Sequence, residues 1–229
     1  MKTFKSLIAL IIMVFIPFGF MLWYRNHQST GFASNELILY PLLFGGSSVL
    51  LLYVIKKHFL KEKLSDFNSG NGNLTQDILW GFILTIIYFI LFYIERATLS
   101  NVLTFKSNHE LLGLMLDMRK SSLLMILWFG PVLWIGIALY EELIRVFMLT
   151  TFWKLSNNTF WVITSVLIAA IIIGLAHWSQ GSYGIVTIAI KSLVSGFFFY
   201  KVRRILPLVI SHVLYDGIQV AILLITYPQ

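Results

Sequence analysis

The run Pro131-Val-Leu-Trp-Ile-Gly-Ile-Ala-Leu-Tyr-Glu141-Glu142-Leu-Ile-Arg145 decides the fold. It begins with ten uncharged residues, and Pro131 suits a helix first turn. The apolar character extends on both sides. Residues 129–152 therefore have the roughly 20-residue length of a helix that crosses the hydrocarbon core. Three charges then lie inside a membrane span. A charge near the bilayer centre costs at least about 2.5–3.5 kcal/mol on insertion scales. It is kept when it is paired, when it faces a polar cavity, or when it does chemistry. Adjacent carboxylates point about 100° apart on a helix. Arg145 lies four residues beyond Glu141 and three beyond Glu142, within reach of either. One carboxylate can then be neutralised while the other stays free for proton transfer, as a general base with a structural neighbour requires. A Glu–Arg pair that only ties helices together leaves the second Glu unexplained.

The rest of the chain agrees with a lipid environment. Of its 229 residues, 58% are hydrophobic and 12% charged, too few charges to solvate the surface of a soluble domain. Seven spans are predicted, at 5–24, 36–55, 78–99, 129–152, 159–178, 183–200 and 205–226. The expected fold is all-α, a polytopic transmembrane helical bundle. The apolar segment 111–126 contains Asp117, Arg119 and Lys120. Its first part reads as an interfacial helix, with an eighth, partial span as the alternative. The chain divides into N-terminal spans and loops at 1–122 and a core at 123–229. The first apolar run, behind Lys2 and Lys5, is long and lacks a small-x-small cleavage pattern, so it reads as a retained anchor.

Absence of cysteine excludes disulfides, thiolate metal sites and a cysteine nucleophile. The net charge of +7 does not point to nucleic acid, because the basic residues cluster in short loops beside spans. One side collects Lys2, Lys5, Lys56, Lys57, Lys61, Lys63, Lys154, Lys201, Arg203 and Arg204; the other collects Arg25, Arg96, Lys106, Arg119 and Lys120. The positive-inside rule then puts the N-terminus in the cytoplasm and the C-terminus outside. Trp23, Tyr24, Trp80, Trp153, Trp161 and Trp178 fall near span ends, as aromatic belts do. Gly45, Gly46, Ser47 and Ser48 sit mid-span and read as a close helix contact.

More polar groups lie inside the later spans. The fifth ends Ile173-Gly-Leu-Ala-His177. The seventh reads His212-Val-Leu-Tyr-Asp216, a four-residue spacing that places both side chains on one helix face. Each feature has a bland reading, as an interfacial histidine or a packing hydrogen bond. Counted from the cytoplasmic ends, Glu141 lies near ~20 Å, His177 near ~27 Å, Asp216 near ~17 Å and His212 near ~10 Å. These depths permit one site. Lys191 is mid-way along the sixth span and reads as paired with Asp216 or a Glu. Glu95 and Arg96, at a span end, read as interfacial.

The three motifs Glu141-Glu142-Leu-Ile-Arg145, Ile173-Gly-Leu-Ala-His177 and His212-Val-Leu-Tyr-Asp216 resemble, in order, those of the CPBP family. That family comprises CAAX prenyl proteases and bacteriocin-processing enzymes, also called Abi. The resemblance covers roughly residues 130–220. It implies an intramembrane endopeptidase that hydrolyses a peptide bond of a membrane-associated substrate. In the implied mechanism Glu141 and His177 activate a water, His212 and Asp216 stabilise the oxyanion, and Glu142 and Arg145 support the base. The family usually has three residues between Glu-Glu and Arg, and this chain has two. That turns Arg145 about 100° around the helix, so the division of labour between Glu141 and Glu142 stays open. The second motif usually begins with Phe, where Ile173 stands.

No cofactor is expected. The competing reading is a zinc ion on Glu141, His177 and His212. The expected partners are membrane lipid and a membrane-associated peptide or protein. The alternative function is a non-catalytic membrane immunity or regulatory partner that retains the fold. Intramembrane Glu, His and Lys also build proton relays in transporters, but the two halves show no repeat relation.

Overall fold

The computed structural model describes residues 2–27, 35–106, 109–156 and 158–227. The side chains of Lys2 and Arg25, counted in the charge asymmetry, lie outside the described ones. Among the described residues every regular element is helical. They are α1 (Lys2–His27), α2 (Glu36–Leu60), α3 (Leu74–Leu99), α4 (His109–Met118), α5 (Ser122–Trp153), α6 (Thr159–Ala176), α7 (Gly181–Val202) and α8 (Leu206–Thr226). Helices α2, α3, α5, α6, α7 and α8 are long and apolar enough to cross a membrane, and α1 contributes a shorter apolar stretch, Thr3–Pro17. The chain is an all-α, multi-pass integral membrane protein.

Three of the boundaries that differ from the sequence expectation do so for a local reason. Helix α3 starts at Leu74 rather than 78 because Asn73 and Gln76 form a reciprocal capping box. The segment 111–126 divides. Helix α4 is ten residues long, about 15 Å and too short to span. After a turn, Ser121 accepts the Leu124 N–H and caps α5. Helix α5 therefore begins at Ser122, seven residues before 129, and bends at Gly130, whose backbone is non-helical (φ −89°, ψ −110°). Pro131 follows the bend, where its missing N–H leaves no broken bond. The turns over Trp128–Leu139 are wide, of the π type, and regular α-helix resumes at Tyr140.

The chain forms two compact units, and α5 and α8 contribute to both. The first comprises Met1–Leu64, His109–Ile144 and His212–Gln229. Within it, glycine lets α2 and α5 touch. A Cβ on Gly45 would fall 2.0 Å from the Gly136 carbonyl oxygen, and one on Gly136 would fall 2.8 Å from that of Pro41. The Gly45 part of the small-residue run is thus a close helix contact, whereas Gly46 has nothing within 4 Å. Lys56 is buried and pairs with Glu62 at 3.0 Å. Arg119 donates to the carbonyls of Leu224 (2.9 Å) and Tyr227 (3.0 Å), capping α8 with a cation.

The second unit comprises Ser65–Asn108 and Arg145–Ser211. Helices α6 and α7 pack through small residues: a Cβ on Gly174 would meet the Ile185 carbonyl at 2.6 Å, and one on Gly196 would meet Val166 at 2.8 Å. Asp77, buried in the first turn of α3, receives Arg204 through Nε at 2.6 Å and a second guanidinium nitrogen. Arg204 also donates to the Gly70 carbonyl at 3.2 Å, and the Arg203 carbonyl accepts the Gly70 N–H at 3.0 Å. Trp153 has a packing role beyond a belt position. It stacks on Phe199, donates to Ser165 Oγ at 2.9 Å and carries the Arg203 guanidinium 4.1 Å from its ring centre. Glu95 corrects the interfacial expectation. It is only 3% exposed and forms an ion pair with Lys191, while Arg96 beside it is exposed. A lysine in mid-α7 needs a buried counter-charge, and a glutamate in the last turns of α3 supplies it.

Candidate active site

Glu141 and Glu142 lie in the first turn of the regular segment that follows the wide turns of α5. His212 and Asp216 lie one turn apart on α8. All four belong to the first unit. His212 Nδ1 is 2.9 Å from Glu142 Oε1, and Nε2 is 3.2 Å from Asp216 Oδ2 and 3.9 Å from Glu141 Oε2. A carboxylate only accepts, so the Nδ1–H donates to Glu142. Partners on both ring nitrogens leave the imidazole one orientation. Exposure then separates the two glutamates: the Glu142 side chain is 3% exposed, Glu141 30%. Glu142 is the inner carboxylate that grips His212, and Glu141 is the accessible one. Next to Asp216, a Cβ on Gly217 would come within 3.2 Å of Leu133, so α8 approaches α5 closely at this level.

The depth count had set Glu141 and His212 roughly 10 Å apart along the membrane normal; the structure puts their side chains 3.9 Å apart. Counting residues registers neither helix tilt nor the different levels at which helices begin.

Arg145 and His177 belong to the second unit. Arg145 is 5% exposed, and its Nε donates to Ser192 Oγ at 3.2 Å. His177 caps the end of α6, and its Nδ1 lies 2.8 Å from the Ile173 carbonyl oxygen. A carbonyl cannot donate, so Nδ1 carries the proton, and in the neutral ring Nε2 keeps its lone pair. The turn after His177 is held by Gly181, at φ +81°, where a Cβ would fall 2.4 Å from the Thr104 carbonyl. Thr104 is in turn bonded to Ser182 Oγ and the Tyr183 N–H.

The structure thus clusters four of the six residues picked out from the sequence and gives Arg145 and His177 defined partners in their own unit. Ser192 escaped the sequence reading. Its signal was position, since it is a small polar residue beside an intramembrane lysine. Among the described residues no group of three or more His, Cys, Asp or Glu side chains is disposed to hold a metal ion.

Comparison with known proteins places the same residues in a family. Residues 123–218 match the family model of the type II CAAX prenyl endopeptidases, Rce1-like. No curated protein and no solved structure matches the chain. The matched segment includes all three motifs and ends two residues past Asp216. This family is a protease family, and the activity it suggests is that of a CAAX protease-type intramembrane endopeptidase. Residues 123–218, less than half of the chain, are thus similar to the Rce1-like, type II CAAX prenyl endopeptidases, the family its three motifs resemble.

Proposed function

We propose that the protein hydrolyses a peptide bond of a membrane-associated substrate with a water activated by Glu141 and His177. The observation that carries this reading is the different surroundings of the two glutamates. Glu142 is buried and engaged by His212, while Glu141 is accessible and 3.9 Å from the same ring. An accessible carboxylate beside a fixed imidazole is what a general base needs. His177 contributes a lone pair on Nε2, since Nδ1 is committed to the Ile173 carbonyl. As the water attacks the scissile carbonyl, its proton passes to Glu141 and then to the leaving amine.

The developing oxyanion requires donors in fixed positions. His212 fills this role when the substrate oxygen replaces Asp216 as the acceptor of its Nε2–H. Asp216 orients the ring when ionised and becomes a second donor when protonated. Arg145, three and four residues along α5 from the Glu pair, balances its negative charge. The loop charges favour an orientation with the N-terminus in the cytoplasm and the C-terminus outside.

The test is cleavage of a panel of prenylated and unprenylated membrane peptides by the purified protein in liposomes, with products identified by mass. One defined internal cut, retained in a strong chelator, is the expected result. No cut by a folded protein contradicts the endopeptidase reading, as would be expected of a non-catalytic regulatory partner. A cut lost in chelator and restored by zinc contradicts the metal-free chemistry.

A further inference from the structure

Helix α7 carries a polar stripe that the proposed mechanism does not use. Thr187, Lys191 and Ser195 recur every four residues and so share one face. Two of them engage α3. Lys191 forms an ion pair with Glu95, and Ser195 Oγ lies 2.6 Å from Tyr88 Oη, a buried contact. Glu95 and Tyr88 are seven residues apart, hence also on one face of α3. Two contacts at different heights fix both the height and the rotation of α7 against α3. Ser192 follows Lys191 by one residue and points about 100° away. There it is 2% exposed and accepts the Nε–H of Arg145, itself 5% exposed, at 3.2 Å.

A guanidinium is planar, and its Nε–H lies in that plane. An acceptor on Nε therefore restricts where the terminal amino groups point. This matters for Arg145 because it sits one residue earlier, relative to the Glu pair, than the family usually places it. The α-helical spacing alone leaves Glu141 and Glu142 both within its reach.

We propose that Ser192 is a positioning residue that sets the guanidinium plane of Arg145, with the Lys191–Glu95 pair holding α7 at the rotation that presents Ser192. The inference rests on the reading of Arg145 as the charge partner of the Glu pair. It assigns an active-site purpose to a buried ion pair that otherwise only ties two helices together.

Two measurements on the full-length protein in lipid nanodiscs test it. The first uses a quenched fluorogenic prenylated peptide. Ser192→Ala is expected to lower kcat about tenfold with KM unchanged, and Ser192→Thr, which keeps the hydroxyl, to restore it to within about twofold. Combined with Arg145→Gln, Ser192→Ala is expected to add no further loss. Unchanged kcat in Ser192→Ala, or a loss that adds fully to that of Arg145→Gln, overturns the proposal. The second needs no substrate. In protein labelled with 15N-arginine, Ser192→Ala is expected to speed hydrogen exchange at Arg145 Nε about tenfold, and Ser192→Thr to leave it as in the native protein. Equal exchange in all three overturns the proposal. If the native protein leaves the peptide uncut while exchange responds as expected, the endopeptidase reading fails and the positioning contact stands.

Discussion

At the scale of single residues, the polar cluster was legible because charge is expensive in lipid. Glu141, Glu142, His177, His212 and Asp216 stand out by position alone, and four of them meet in one cluster. Their bonding pattern was not legible. Helix periodicity gives the face a side chain occupies, but not that Glu142 rather than Asp216 takes the Nδ1–H of His212. The structure also explains a departure from the family pattern. What Ile173 gives to His177 is its backbone carbonyl, which any residue possesses. Asp216 is the position where the family also uses Asn, and an amide retains both an acceptor for Nε2–H and a donor for an oxyanion. Asp216→Asn is therefore expected to keep cleavage within about tenfold of native. Asp216→Ala, which removes the partner of Nε2, is expected to lose about 10²–10³ in kcat, in the range of losing one oxyanion donor. Initial rates on one cut peptide check both. An equal loss in the two variants contradicts the account.

At the scale of elements, length counting found the six long apolar helices, and its first span, at 5–24, falls on a helix with only a shorter apolar stretch. It missed the joints. The start of α5 at Ser122 depends on a cap by Ser121, and its bend depends on the Gly130–Pro131 pair, two local devices that a hydropathy window averages away. Gly45 and Gly46 were read as a helix contact, but only the structure selects Gly45 and pairs it with Gly136, since Gly46 adjoins open space. Gly45→Ala would put a methyl 2.0 Å from a backbone oxygen, which no rotamer relieves. It is expected to destabilise the protein by about 1–3 kcal/mol, the usual penalty of overpacking. Gly46→Ala is expected to change stability by less than about 0.5 kcal/mol. Denaturant titration in detergent micelles followed by circular dichroism compares them, and equal midpoints would contradict the α2–α5 contact.

At the scale of the whole molecule, the class was legible from composition, because so apolar a chain has only lipid as a solvent. The ion-pair map was not. Lys191 was expected to have an acidic partner, yet choosing Glu95 on α3 requires knowing which helices are neighbours, information that lies in packing rather than in any local pattern. Lys191→Met leaves Glu95 buried without its cation and is expected to cost about 3–5 kcal/mol. The double variant Lys191→Met/Glu95→Leu is expected to recover most of that loss, because an apolar pair of similar volume carries no desolvation penalty. Urea midpoints of the native protein, the single and the double variant check the pattern. A double variant as unstable as the single one contradicts the pairing.

The central claim is that Glu141 is the base and Glu142 the residue that holds His212. The direct test is the rate at which the reconstituted protein cuts one membrane peptide, compared for native, Glu141→Gln and Glu142→Gln, with helicity and melting checked in each. The account expects Glu141→Gln to fold normally and to lose about 10²–10⁴ in kcat, the contribution of a general base. It expects Glu142→Gln, whose amide oxygen still accepts the His212 Nδ1–H, to retain a larger share of the rate. A folded Glu141→Gln protein that cuts at the native rate, or a Glu142→Gln protein with the greater loss, would contradict it.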